Sequence, residues 1–349
     1  MKTGKMKYIR FVVLGLLLLG VFLFRYIPGA GEQYALHVYP VVSLILSLFS
    51  SLLPFSLDEI IVILFVFLLL LGLVFAIYRR IGFRRTSFAF IEALFWMYVW
   101  FYWGWGMNYY RDNIYKRASV RPQEYDEMAF KSFLTDYTSR LNALYMPISE
   151  MGFDMLEREI KKGYSMVSDI YALTEPKHFQ HPKLSFCNSL YSSVGVLGFM
   201  GPFFDESHLN HQLLPAQLPF TYAHELSHLL GVSNEAEANW WAFKVCTNSS
   251  VSSIRFCGYY GIFGYVIKNA RRLLSKEDYS VWLTTVRDEV KDDFLAQQRF
   301  WNEKYSKTLG NLQDVIYDLF LKSNKIKSGR QNYAEVIGII MSLPDNCWR

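Results

Sequence analysis

Hydrophobic positions follow two regimes along the chain. Up to about Asn108 they form long unbroken runs, and beyond Arg111 they recur at helical spacing among charged residues. After a basic start (Lys2, Lys5, Lys7, Arg10), Phe11 to Phe24 carries no charge, and Tyr8, Ile9, Tyr26 and Ile27 extend it. A run of this length suits either the apolar region of a signal peptide or a short transmembrane helix; no A-x-A cleavage site follows, the nearest small residues coming as Pro28-Gly29-Ala30, so the uncleaved helix at 9–27 is the preferred reading. Ile60 to Ile77 is uninterrupted apolar sequence opened by Ser56-Leu57-Asp58-Glu59, an S-x-x-E helix start, which gives a second span at 60–78. A third, 87–108, is rich in Trp, Tyr and Phe, as suits a helix leaving through an interfacial aromatic belt. Val41 to Leu53 is also apolar, but it is short and lies between Pro40 and Pro54. If it crossed, Arg79, Arg80, Arg84 and Arg85 would lie opposite the basic N-terminus, against the positive-inside rule, so 41–53 is expected to be interfacial or re-entrant. Three crossings from a cytoplasmic N-terminus put everything after Arg111 outside the cytoplasm.

The remainder, 111–349, is long enough for one globular core and reads as mostly helical. Residues 124–145 place Met128, Phe130, Phe133, Leu134, Tyr137, Leu141 and Leu144 at helical spacing, and 154–171 predicts a second helix. Short Gly-punctuated runs, Leu184–Phe186 and Val194–Phe199, predict a small β element. From Pro219 helices resume, with breaks expected near Gly258, Ser275, Gly310, Ser328 and Pro344. The fold class is membrane-anchored and mainly α, with a membrane region at 1–110.

Charge and cysteine content narrow the chemistry. The net charge of +5 is modest, and its basic residues flank apolar runs, so they read as topology signals and no nucleic-acid partner is expected. Cys187, Cys246, Cys257 and Cys347 form no C-x-x-C pair, which argues against a zinc ribbon or a thioredoxin-type site. Outside the cytoplasm a disulfide among them is allowed, with no pairing specified.

The chemistry concentrates at His224-Glu225-Leu226-Ser227-His228, an H-E-x-x-H that puts two imidazoles on one helical face with a carboxylate beside them. A catalytic Zn2+ needs a third protein ligand and one open position. Gly231 is placed to end the helix, and Ser233 or Asn234 to cap the next, which makes a helical hairpin. With the turn near 232–233, Glu237 is level with His228 and Glu235 only with Leu230. Glu237 is therefore the expected third ligand and Glu235 the alternative, with ligand and capping roles divisible either way. Asn234 stands where a metzincin has its third histidine, but an amide is a poor zinc ligand.

These residues resemble an uncharacterised family of bacterial membrane proteins, a domain of unknown function with N-terminal membrane helices and a gluzincin-type, zincin-like domain. The matching pieces are Trp105-Gly-Met-Asn108-Tyr-Tyr-Arg111, Gly198-Phe-Met-Gly-Pro202, Pro219 to His228, Glu235-Ala-Glu-Ala-Asn239 and Asp318-Leu-Phe-Leu-Lys-Ser-Asn324. The resemblance implies His224, His228 and a glutamate of Glu235–Asn239 as metal ligands, and it implies no substrate.

A zinc metallopeptidase of the bacterial inner membrane is the leading expectation, with Glu225 as general base and a peptide or protein as substrate. His208, Tyr259, Tyr260 and Arg271 are candidate oxyanion donors. Val194, Gly195, Val196, Leu197 and Gly198 form a candidate edge strand for an extended peptide. A receptor or scaffold with a structural zinc is the alternative. An intramembrane protease is disfavoured by the polar residues around the motif, and a transporter by the lack of buried charge in the spans. Nothing in the sequence fixes the oligomeric state.

Overall fold

A computed structural model describes residues 2–124, 126–167, 171, 173–326 and 328–343. The chain forms two compact units: Met1–Asp112 with Phe179–Phe186 and Gly201–Glu206, and Asn113–His178 with Cys187–Met200 and Ser207–Arg349.

The first unit contains α1 (Lys2–Tyr26), α2 (Ala30–Ser51), α3 (Leu57–Tyr78) and α4 (Phe83–Gly104). Among the described residues, Tyr8–Tyr26 of α1, together with α2 and α3, are long and apolar enough to cross a membrane, which makes this a membrane protein. Helix α4, which contains most of the expected third span, has the length, but its Trp, Tyr and Glu92 side chains keep it below that hydropathy. The apolar run at 41–53 is longer in structure than in sequence: residues 41–51 form the second half of a 22-residue helix, Ala30–Ser51. Pro40 does not break it, because the preceding turn, Tyr34–Val38, is π-helical. A widened turn removes the clash that a proline ring otherwise makes with the carbonyl four residues back.

Two later segments of the chain fasten the junction between α2 and α3. The Lys183 ammonium donates to the carbonyls of Ser50 (2.8 Å) and Leu53, at the negative end of α2. The Glu206 carboxylate accepts from the Leu57 and Asp58 amides (3.2 and 3.0 Å), at the positive end of α3. Asp58 in return accepts from the Phe203 and Phe204 amides (2.8 and 3.0 Å), and Glu59 accepts from Ser185 Oγ and the Phe186 amide, both at 2.6 Å. Ser56 caps α3 as its sequence suggests, accepting from the Glu59 amide at 3.0 Å. The Glu59 side chain, however, serves the 185–186 segment. Behind this junction Asp205 is buried, and burial holds its carboxyl well above the usual range, with Ser43 opposing and Asp58 reinforcing the shift.

The second unit is mostly helical. It contains α5 (Glu127–Leu144), α6 (Phe153–Ser165) and the short α7 (Asn188–Ser193). After a β-hairpin come α8 (Leu218–Leu229), α9 (Glu235–Thr247) and α10 (Ser252–Leu273). Then follow α11 (Lys276–Thr285), α12 (Asp288–Lys304), α13 (Lys307–Ser323) and α14 (Val336–Ser342). Three short strands, β1 (Lys183–Leu184, a segment of the first unit), β2 (Gly198–Gly201) and β3 (Glu206–Leu209), make one small sheet in the order β1-β3-β2. The core is built on Trp240, Trp241, Phe130, Phe256, Phe263 and Tyr222, all fully buried.

The break expected near Ser275 is present, and Ser275 caps α11 by accepting from the Asp278 amide at 3.0 Å. Gly258 and Gly310 do not break their helices. A Cβ at Gly258 would lie 2.8 Å from Cβ of Cys246 on α9, so this glycine is a notch that lets α10 pack closely. Cys246 and Cys257 are buried thiols, pushed up by burial, to about 12 for Cys257; Cys347 and Pro344 lie outside the described residues.

Candidate metal centre

The site is built on the α8–α9 hairpin. Helix α8 ends in a Schellman turn: Gly231 takes φ 92°, its amide donates to the His228 carbonyl at 3.0 Å, and the Val232 amide donates to the Ser227 carbonyl at 3.0 Å. Only glycine adopts that φ without strain, so Gly231 fixes where the chain reverses. Asn234 then caps α9, accepting from the Glu237 amide at 3.0 Å. Glu235 becomes the first residue of α9 and points back at α8.

His224 and His228 are one turn apart, with their Nε2 atoms 3.1 Å from each other. Glu235 Oε2 lies 3.2 Å from His224 Nε2 and 3.4 Å from His228 Nε2. Among the described residues these three form a group able to hold a metal ion. Tetrahedral zinc, with bonds of 2.0–2.2 Å, requires ligand atoms roughly 3.4 Å apart, and the triangle fits. The other ring nitrogens are occupied: His228 Nδ1 lies 2.7 Å from the Val232 carbonyl and His224 Nδ1 lies 2.9 Å from Asn239 Oδ1. A carbonyl oxygen only accepts, so each neutral ring carries its proton on Nδ1 and turns the Nε2 lone pair toward the triangle.

All three ligand candidates and Glu225 are 4–8 % exposed. Burial alone would raise Glu235 and lower His228, but their mutual attraction and hydrogen bonding win. Glu235 ends well below the carboxylate range and His228 near 9. Burial raises Glu225, and the two imidazoles partly offset it. Its side chain lies against β2: a Cβ at Gly198 would sit 2.7 Å from Glu225 Cγ and 2.8 Å from its Oε1. Two tyrosines complete the surround. Tyr317 of α13 donates to Glu235 Oε1 at 2.5 Å. Tyr265 of α10 is hydrogen-bonded to Asn239 and pushed up to about 12 by burial, with Glu235 adding to the rise.

Several expectations need correction. Glu237 is not the third corner: its carboxylate pairs with Arg117 and accepts from Trp241 Nε1 at 3.1 Å. Distance from the turn places a residue along a helix, but two positions rotate it about 200° around the axis, away from the histidines. The four expected oxyanion donors have these neighbours. Tyr259 packs on Phe243 and Tyr137, Tyr260 on Phe256 and Phe294, Arg271 lies over the Tyr279 ring, and His208 is stacked on Phe199 at 4.1 Å. Of the expected strand only Gly198 lies in β2. Val194 and Gly195 form the turn after α7, with Gly195 at φ 77°, and Val196 and Leu197 precede the strand. Asn239, four residues from Glu235, could have been found from helical spacing. Tyr265 and Tyr317 had no local signal.

Fold and centre together define a membrane-anchored, mainly helical protein with a buried two-histidine, one-carboxylate cluster. Residues 34–341 match a family described as "Protein of unknown function (DUF3810)", and the chain belongs to that family. No curated protein and no solved structure matches.

Proposed function

We propose that this protein is a membrane-anchored zinc peptidase, with His224, His228 and Glu235 holding the ion and Glu225 acting as general base. The observation that carries this reading is the convergence of both Nε2 atoms on Glu235 Oε2 with each Nδ1 tied to an acceptor, beside a fourth, buried carboxylate. Bound zinc would acidify a water and polarise a peptide carbonyl. Glu225 then takes the proton of the attacking water and delivers it to the leaving amine, a role suited to a carboxylate whose affinity for protons burial has raised. Strand β2 lies at the edge of its sheet beside Glu225, so an extended peptide could add to it by main-chain pairing and bring its carbonyl to that carboxylate. Asn239 and the Val232 carbonyl keep the rings oriented.

Near-complete burial of the centre favours one other reading, a closed structural zinc in a receptor or scaffold. Metal analysis and peptide-library turnover separate the two. Glu225→Gln is expected to retain one zinc and lose turnover, whereas Glu235→Gln is expected to lose the zinc. A wild-type protein that holds zinc yet neither cleaves peptides nor binds a hydroxamate supports the structural reading.

A further inference from the structure

Helix α13 presents its apolar side outward. Leu309, Leu312, Val315, Ile316 and Leu319 are 45–62 % exposed, and their spacing puts them in an arc roughly 120° wide. The opposite side carries buried Gly310 and Leu321 and half-buried Asp314, Tyr317 and Asp318. A helix on a water-facing domain turns such a stripe to the core, and a contiguous exposed stripe marks a partner or a membrane.

Charge identifies the occupant. Lys322 and Lys325 follow the stripe, with Lys322 also pairing with Asp318 at 2.6 Å, and in the sequence Lys327 and Arg330 come next with no acidic residue from 319 to 334. Apolar side chains flanked by cations are the composition that enters an anionic lipid headgroup layer. The chain is also tethered to a bilayer by its own helices, so a weak surface contact is repeatedly re-formed. We infer that α13 docks its Leu309–Leu319 stripe into the headgroup region of an anionic bilayer, at a depth of roughly 5–10 Å. Tyr317, on the inward side, bonds Glu235, so the helix that meets the lipid also bears on the metal centre. The docking stands independently of whether that centre is a peptidase.

The test uses full-length protein, one copy per nanodisc, with an environment-sensitive fluorophore on Val315→Cys or Leu319→Cys. Val281→Cys, an exposed apolar position on α11, is the control, and the signal of labelled wild type is subtracted for the native thiols. Lipid-borne nitroxides are expected to quench positions 315 and 319 in phosphatidylserine-containing discs, less in phosphatidylcholine-only discs, and position 281 in neither. Quenching at 315 and 319 no greater than at 281 overturns the docking, and equal quenching in both lipids overturns the anionic preference. A blue shift without quenching, seen only when several copies share a vesicle, would assign the stripe to a second copy instead.

Discussion

Two carboxylates two residues apart in α9 face different neighbours, Glu235 the imidazole pair and Glu237 the guanidinium of Arg117. Arg117 is buried and also donates to the Tyr171 carbonyl, so Glu237 balances a charge that water does not reach. Glu237→Gln should therefore cost about 3–5 kcal/mol, since it leaves that charge unpaired, yet leave metal content unchanged. Asn239→Ala should instead act on the metal, with affinity down about 10–100-fold in a chelator titration, and cost about 1–3 kcal/mol for the buried partners it leaves unpaired. Asp205 bears on stability through pH. Its carboxyl ionises near 3.8 when exposed to water but stays protonated well above that in the fold. Above about 3.8 the folded form holds a proton that the unfolded form has lost, so this residue's contribution to stability falls as pH rises. Asp205→Asn should remove that part of the slope in melting temperatures recorded from acid to neutral pH; an unchanged slope would contradict the assignment.

At the scale of the element, the legible features were those decided by a few adjacent residues. Ser56 caps α3, Gly231 ends α8, and Asn234 starts α9, because each acts on backbone groups within a few positions of itself. Whatever depends on rotation about a helix axis or on a distant partner was not legible. The choice of Glu235 over Glu237 turned on azimuth, and Tyr265 and Tyr317 reach the centre from helices far along the chain. Strand β2 begins at Gly198 because that is where the chain pairs with β3 and passes Glu225. Gly258 shows the same ambiguity in energetic form, since a glycine in a helix is equally a break or a packing notch until its neighbour is known. Gly258→Ala would place a methyl 2.8 Å from Cβ of Cys246 and 2.9 Å from Cγ2 of Thr247. Helix propensity gains roughly 1 kcal/mol and overpacking costs about 1–3, so a net loss of melting temperature is expected. A gain would show that α10 and α9 can part without penalty.

For the whole molecule the open variable is the number of crossings, and α2 decides it. By length and hydropathy α2 qualifies as a span, yet a third of its most apolar window is buried within the protein, against 11 % and 6 % for α1 and α3. Tyr34, Tyr39, Ser43, Ser47 and Ser50 form its buried face. That face meets polar chain: Gln180 donates to Ser47 Oγ at 3.3 Å, and the Lys183 ammonium caps the Ser50 carbonyl. Buried amide and ammonium groups of this kind are costly in hydrocarbon unless protein encloses them. The arginines point the same way. If α1, α3 and α4 cross and α2 does not, Arg79, Arg80, Arg84 and Arg85 share a side with Lys2, Lys5, Lys7 and Arg10, as the positive-inside rule prefers. Alkaline phosphatase joined to the C-terminus should then be active and a fluorescent protein there dark, with the reverse for insertions between Tyr78 and Phe83. The opposite pattern would make α2 a fourth crossing and move the two-histidine, one-carboxylate cluster to the cytoplasmic side, where the lipid surface proposed for α13 would be the inner leaflet.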